Sequence, residues 1–175
     1  NGKSTVTQLL GEMALASSLK AYICGNIGNP VMECISDDAE LYIVELSSYQ
    51  LDYTNKLDLF AGVITNISPD HLDRYSSYSN YISSKLSIYD YSMFNIINLN
   101  EPEVNGISGD NFFSIEKNES KCDFFASKKD NLYEVFHQGK VLMTSDDLLV
   151  VGKHNIENML ASLTLGYRFG LSVNT

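Results

Sequence analysis

Long apolar runs are missing from this sequence: none approaches the ~20 residues needed to cross a bilayer, and no charged-then-apolar leader stands at the start. No membrane partner is expected. Runs of lysine or arginine are missing too. With 12 Lys and Arg against 22 Asp and Glu the formal net charge is -10, so nothing is arranged to displace counterions from a nucleic-acid backbone, and no nucleic acid is expected as partner. An acidic surface of this kind is read simply as solubility. Cysteine is scarce. The three present, Cys24, Cys34 and Cys122, have neither the even count of a disulfide framework nor the spacing of a zinc site, which fits a reducing cytoplasm. Internal repeats and low-complexity linkers are absent. What remains is 175 residues, 44% hydrophobic and 19% charged, enough for one good core and hence for one domain or most of one.

The first five residues carry the strongest local signal. Asn1-Gly2-Lys3-Ser4-Thr5 matches the end of a P-loop, in which backbone N–H groups approach phosphate, a lysine reaches the β- and γ-phosphates, and a hydroxyl meets Mg²⁺. Val6, Leu9, Leu10, Met13, Ala14 and Leu15 follow at helical spacing, so the loop opens a helix aimed at the anion. The strand and first glycine of such a loop would lie before Asn1, and the motif is expected to be cut there.

Further along, apolar runs alternate with polar ends. Ala21 to Cys24 reads as a strand ending in the turn-rich Gly25-Asn26-Ile27-Gly28-Asn29-Pro30, followed by a short helix over Val31 to Ile35. Leu41 to Val44 reads as a strand buried on both faces, delivering Glu45 at its end. Phe60 to Thr65 likewise leads to Asn66, Asp70 and His71. Asn80 to Tyr91 has helical spacing, and Phe94 to Asn98 is another strand, completing a βαβ pattern. Ligands of open α/β sheets bind outside the carboxyl ends of the strands, which puts Glu45, Asn66, Asp70 and His71 beside the P-loop.

Between Glu101 and Asp147 the pieces Phe112 to Ile115, Leu132 to Phe136 and Val141 to Thr144 read as an antiparallel appendage with a hairpin at Gln138-Gly139. Lys128, Lys129 and His137 there read as surface residues. Ile156 to Phe169 is a last helix, capped by Asn155 and stopped by Gly170. The expected fold is α/β: a P-loop NTPase-like, mostly parallel sheet flanked by helices, with a small antiparallel β appendage.

Mg²⁺ takes hard oxygen ligands and keeps several waters, so Ser4 needs a carboxylate from a neighbouring strand, and Glu45 is placed for it. Asp70-His71-Leu72-Asp73-Arg74 gathers charges that cannot sit in a dry core without partners, which suits a metal or phosphate. Asn55-Lys56-Leu57-Asp58 has the letters of a guanine-reading motif but precedes a strand rather than ending one, and reads as a loop.

Taken in order, these stretches resemble the Mur ligase family, and within it the branch that adds D-glutamate. They are Asn1 to Thr5, Gly25 to Pro30, Glu45-Leu-Ser-Ser-Tyr-Gln-Leu51, Asn66 to Arg74, Lys85 with Ile88-Tyr89, and Gly152-Lys-His-Asn-Ile-Glu-Asn158. Folylpolyglutamate synthases share the P-loop and the His-Asn segment; the Glu45 stretch is the part that resembles the D-glutamate branch. The resemblance implies an ATP-dependent amide ligase of peptidoglycan synthesis, cytoplasmic and monomeric, acting on UDP-N-acetylmuramoyl-L-alanine and D-glutamate. Residues 1–175 resemble only the central ATP-binding domain, without the UDP-binding and D-glutamate-binding domains, and such a piece is not expected to ligate alone.

By the same resemblance Asn1, Gly2, Lys3, Ser4 and Thr5 bind ATP, while Asn155 and Asn158 contact the adenine side. Ser4 and Glu45 hold one Mg²⁺ and His71 a second. Lys85 matches a carbamylated lysine that supplies anionic oxygens to metal. Lys3, His71 and Lys85 form the catalytic set, and Asn26, Ser47 and Gln50 touch the muramoyl-alanine substrate. Two other classes use such a loop: a non-catalytic nucleotide-binding module and a plain NTPase switch.

Overall fold

Apolar residues on one helical face wind α1 over Lys3–Ala16 and bury Val6, Leu10 and Ala14. This computed structural model describes residues 1–69, 74–116, 119–148 and 152–173. After α1, β1 (Ala21–Gly25) and β2 (Leu41–Glu45) pair in parallel, Ala21 opposite Leu41 and Gly25 opposite Glu45. The expected short helix between them is a single 3₁₀ turn, Val31–Glu33. A five-residue helix, α2 (Ser48–Asp52), follows β2 and escapes periodicity because it is too short. Its sequence signal is a capping box instead: the Ser47 hydroxyl accepts from the Gln50 N–H, and the Gln50 carboxamide oxygen accepts from the Ser47 N–H.

β3 (Leu59–Val63), α3 (Tyr78–Leu86) and β4 (Ser92–Asn98) make the βαβ unit, with the expected helix ending early in a 3₁₀ stretch, Ser87–Tyr91. Asn55 to Asp58 lies in the loop before β3, as read. The sheet then extends further in parallel than expected. β5 (Asn111–Ile115) pairs parallel with β4, and β6 (Phe124–Lys129), not anticipated from the sequence, pairs parallel with β5. Only β7 (Leu132–His137) and β8 (Lys140–Thr144) run antiparallel, so the appendage is the far edge of the main sheet. The reason is tertiary: the inner side chains of β5 and β6, Phe113, Ile115, Phe124 and Ala126, are all buried against the same core as β4.

α4 (Lys153–Phe169) begins two residues before the expected cap. Gly152, at φ +121, is the N-cap, because glycine alone turns the chain there without a Cβ penalty, and Asn155 sits in the first turn. The helix does stop at Gly170, φ +93. α1 and α4 cover one face of the six-stranded sheet β3 to β8, with Val6, Ile96, Phe113, Ile156 and Leu160 in that core. α3 and the 3₁₀ stretch after it cover the other face, Tyr81 and Tyr89 clustering with Ile97 of β4, and the alternation of Ile96 and Ile97 marks the two sides. His137 is no ordinary surface residue: its ring stacks on Phe124 at 4.2 Å and meets Tyr167 edge-on.

β1 and β2 form a separate two-stranded sheet beneath α1. No ladder joins β2 to β3. Between them lies a cavity of about 170 Å³, lined by Ile43 and Val44 from β2, Ala61 and Val63 from β3, and Leu10 and Phe169 from the helices.

Candidate nucleotide and magnesium site

The site starts at the turn into α1. Gly2, the N-cap, has φ +81, and no side chain caps the helix, so the first-turn N–H groups keep their dipole aimed outward. A side chain at position 2 has no room: a Cβ there would lie 2.1 Å from Asn158 Oδ1. Asn158 is itself buried beneath this turn, 6% exposed.

Glu45, the last residue of β2, is 4% exposed and fully engaged. The Ser4 hydroxyl donates to Glu45 Oε2 at 2.8 Å, Asn26 Nδ2 donates to Oε1 at 3.0 Å, and Lys3 Nζ stands 4.0 Å from Oε1. The backbone sets this up. Gly25, at φ +107, lets the chain pass so close to β2 that a Cβ would sit 2.2 Å from the Glu45 carbonyl, and the Asn26 N–H donates to that carbonyl at 2.8 Å.

From the third side comes the exit of β3. The Thr65 hydroxyl and the Asn66 carboxamide both donate to the Asn1 carbonyl, each at 2.9 Å. Lys85, on α3, lines a small cavity together with Asn1, Lys3, Ser48, Thr65 and Asn66, its Nζ 4.9 Å from the Tyr81 ring centroid. α3 is tied to α2 by the Ser84 hydroxyl, which donates to the Ser48 carbonyl at 3.0 Å. Ser47 and Gln50 hydrogen-bond each other within the capping box.

The structure therefore gathers Asn1, Gly2, Lys3, Ser4, Asn26, Glu45, Asn66, Lys85 and Asn158 around one end of the fold. Thr5 lies in the first turn of α1 and Asn155 in that of α4. Asp70, His71 and Asp73 fall outside the described residues. Sequence reading missed Thr65, Asn98 and Glu101. The signal for Asn98 was the one that found Glu45, a polar residue closing an apolar strand, and Glu101 follows three residues later.

Hard oxygens from Ser4 and Glu45 set side by side suit Mg²⁺, and among the described residues no trio of His, Cys, Asp and Glu offers an all-protein cage. An ion held there would need further ligands from outside these two side chains. Cys24 is no competitor for chemistry, since complete burial pushes its thiol up from the ordinary range.

The family model described as the Mur ligase middle domain matches residues 1–166. The chain belongs to the Mur ligase family. Among curated Mur ligases, UDP-N-acetylmuramoylalanine–D-glutamate ligase of Aliivibrio fischeri is 36% identical over 99% of this chain and 39% of its own length. The enzyme of the same name from Vibrio parahaemolyticus is 37% identical over 94% of this chain and 37% of its own. The chain thus spans about two fifths of the length of these relatives. In solved Mur ligase folds the match is to architecture. A pseudomurein peptide ligase type C from Methanothermus fervidus superposes with a TM-score of 0.75 at 17% identity, over 98% of this chain and 45% of that one. UDP-N-acetylmuramate-alanine ligase from Thermotoga maritima gives 0.67 at 18%, over 99% and 40%.

Proposed function

We propose that this Mur ligase middle domain is the ATP-binding part of a ligase that joins D-glutamate to UDP-N-acetylmuramoyl-L-alanine. In the first step the alanyl carboxylate oxygen attacks the γ-phosphorus of ATP, the bond to the bridging oxygen breaks, and ADP leaves. In the second, the D-glutamate amine attacks the acyl phosphate carbon, an amide forms, and phosphate departs with a proton lost from the amine. Both reactants of the first step are anionic, so the site must neutralise charge that gathers as they approach.

The observation that carries this reading is the group of Lys3, Ser4 and Glu45 at an uncapped helix start. Lys3 reaches toward the β- and γ-phosphates, and the α1 N–H groups hold their oxygens. Ser4 and Glu45 would hold one Mg²⁺, which supplies Lewis-acid stabilisation of the transferring phosphoryl group. His71 and a carbamate on Lys85 would hold a second: a bare ammonium would repel the ion, whereas a carbamate offers it oxygens. Asn26, Ser47 and Gln50 would line the approach of the muramoyl-alanine substrate and Asn155 the adenine side, while Asn158, buried beneath Gly2, would act by supporting the phosphate-binding turn.

The groove between β2 and β3 supports the same reading. β2 and β3, each parallel to its own ladder partner, border an apolar groove that suits one more parallel strand, which would run into Asn1 and complete the P-loop. The UDP-binding and D-glutamate-binding domains would flank this one in the whole protein. The test is incubation of the protein, with its natural flanking sequence, with ATP, Mg²⁺ and both substrates. Amide formation stoichiometric with ADP is expected. ATP turnover indifferent to both substrates would make it a switch instead, and incorporation of L-lysine or diaminopimelate in place of D-glutamate would move it to another branch.

A further inference from the structure

Backbone pairing between β3 and β4 ends at Val63 opposite Ile96. Beyond it, three side chains take over. The Tyr89 hydroxyl accepts from the Ile64 N–H at 3.2 Å and donates to the Ile96 carbonyl at 3.1 Å. Asn98 Nδ2 donates to the Thr65 carbonyl at 2.8 Å, and Glu101 Oε2 accepts from the Ile67 N–H at 2.7 Å. All three donors or acceptors are buried, Glu101 at 8% exposed and Asn98 at 2%. The clamped segment is the one whose Thr65 and Asn66 side chains hold the Asn1 carbonyl from the other side.

A carboxylate is a costly group to bury, and Glu101 accepts from two backbone N–H groups, that of Ile67 and, at 3.3 Å, that of Glu103. The second merely caps the 3₁₀ turn Pro102–Val104. The first reaches 34 residues back along the chain, to the exit of β3. We propose that Glu101 is a positioning residue for nucleotide binding, fixing the Thr65–Ile67 segment so that it holds the phosphate-binding turn at Asn1 and Gly2. Resting on the functional reading above, this extends it to a residue that touches neither nucleotide nor metal.

The experiment compares Glu101→Ala, Glu101→Gln and, as a purely apolar lesion in the same turn, Val104→Ala in the protein with its natural flanking sequence. Measured are the Kd of a non-hydrolysable ATP analogue with Mg²⁺, the separate KM values for ATP and the muramoyl substrate, thermal midpoint, and hydrogen exchange at the Ile67 amide. Loss of a buried charge-assisted hydrogen bond should weaken analogue binding by about tenfold in Glu101→Ala, with faster Ile67 exchange and a much smaller change in KM for the muramoyl substrate. Glu101→Gln keeps an acceptor oxygen and should recover most of the affinity. Analogue affinity within twofold of wild type in Glu101→Ala overturns the proposal. So does an equal weakening in Val104→Ala at matched loss of thermal midpoint. If Glu101→Ala does not fold, Glu101→Gln decides: faster Ile67 exchange with wild-type affinity overturns the role. A wild-type protein that binds no adenine nucleotide would sink the functional reading and this proposal together, whereas wild-type binding with an indifferent Glu101→Ala sinks this one alone.

Discussion

Lys3 and Glu45 face each other across 4.0 Å, but their removal should have different consequences. Lys3 is partly solvated, and under the proposed function Lys3→Ala, made in the protein with its natural flanking sequence, should leave the thermal midpoint nearly unchanged while lowering ATP-dependent ligation by at least about a hundredfold, because its charge would be needed only when anions gather. Full ligation by Lys3→Ala would remove the assignment. Glu45 is buried and accepts two hydrogen bonds, so Glu45→Ala should both abolish Mg²⁺-dependent turnover and destabilise the fold by about 1–3 kcal/mol, leaving Ser4 and Asn26 without their partner. At Gly2 the constraint is space. Gly2→Ala adds a Cβ at φ +81 into the Asn158 carboxamide, and a drop in stability of about 1 kcal/mol or more is expected in chemical denaturation. These three residues were legible in the sequence as types in a motif, but their partners were not. Asn158 reads by resemblance as an adenine-side contact, and its place beneath Gly2 depends on how α4 crosses α1.

At the scale of elements, the exit of β3 depends on side chains where its ladder stops. Tyr89→Phe removes the hydroxyl that bridges the Ile64 N–H and the Ile96 carbonyl, and should cost about 1–3 kcal/mol. The phenol also carries a pH signature. Burial, chiefly, pushes its pKa above the ordinary tyrosine value, with the nearby Glu101 charge acting in the same direction. The folded state therefore favours the protonated form. Stability from this group is complete below the unfolded pKa of roughly 10 and is lost as pH rises from there toward the raised folded value. Denaturation midpoints should fall above about pH 10 in wild type and fall less in Tyr89→Phe; identical alkaline curves would contradict this. α2 and α4 show where reading by periodicity fails. α2 has no room for a period and is specified by its capping box, while α4 starts at Gly152 because a positive φ there turns the chain earlier than the Asn155 cap signal suggests.

For the molecule as a whole, the groove between β2 and β3 leaves the two sheets joined mainly through α1 and α4. Under the proposed function, adding one parallel strand ahead of Asn1 should raise the thermal midpoint by several degrees and slow hydrogen exchange along the facing edges of β2 and β3. Unchanged exchange at both edges would show that no strand enters there. The parallel run β3 to β6 was half hidden from the sequence. Short strands at Phe112 and Phe124, separated by polar turns, look alike whether they pair parallel or antiparallel, and the choice was made by burial of Phe113, Ile115 and Phe124 against α1 and α4.

By itself the sequence determined the local instructions: a glycine-led helix start, apolar strands ending in polar residues, and turns where glycine permits them, all of which act over a few residues of chain. Only the tertiary structure decided that Ser4, Asn26 and Glu45 share one carboxylate, that Asn158 supports Gly2, and that Glu101 reaches back to Ile67. Those contacts join residues 19 to 156 positions apart, and no local propensity encodes them; they exist because α1, α3 and α4 bury separate apolar clusters against the two faces of the six-stranded sheet and against β1 and β2.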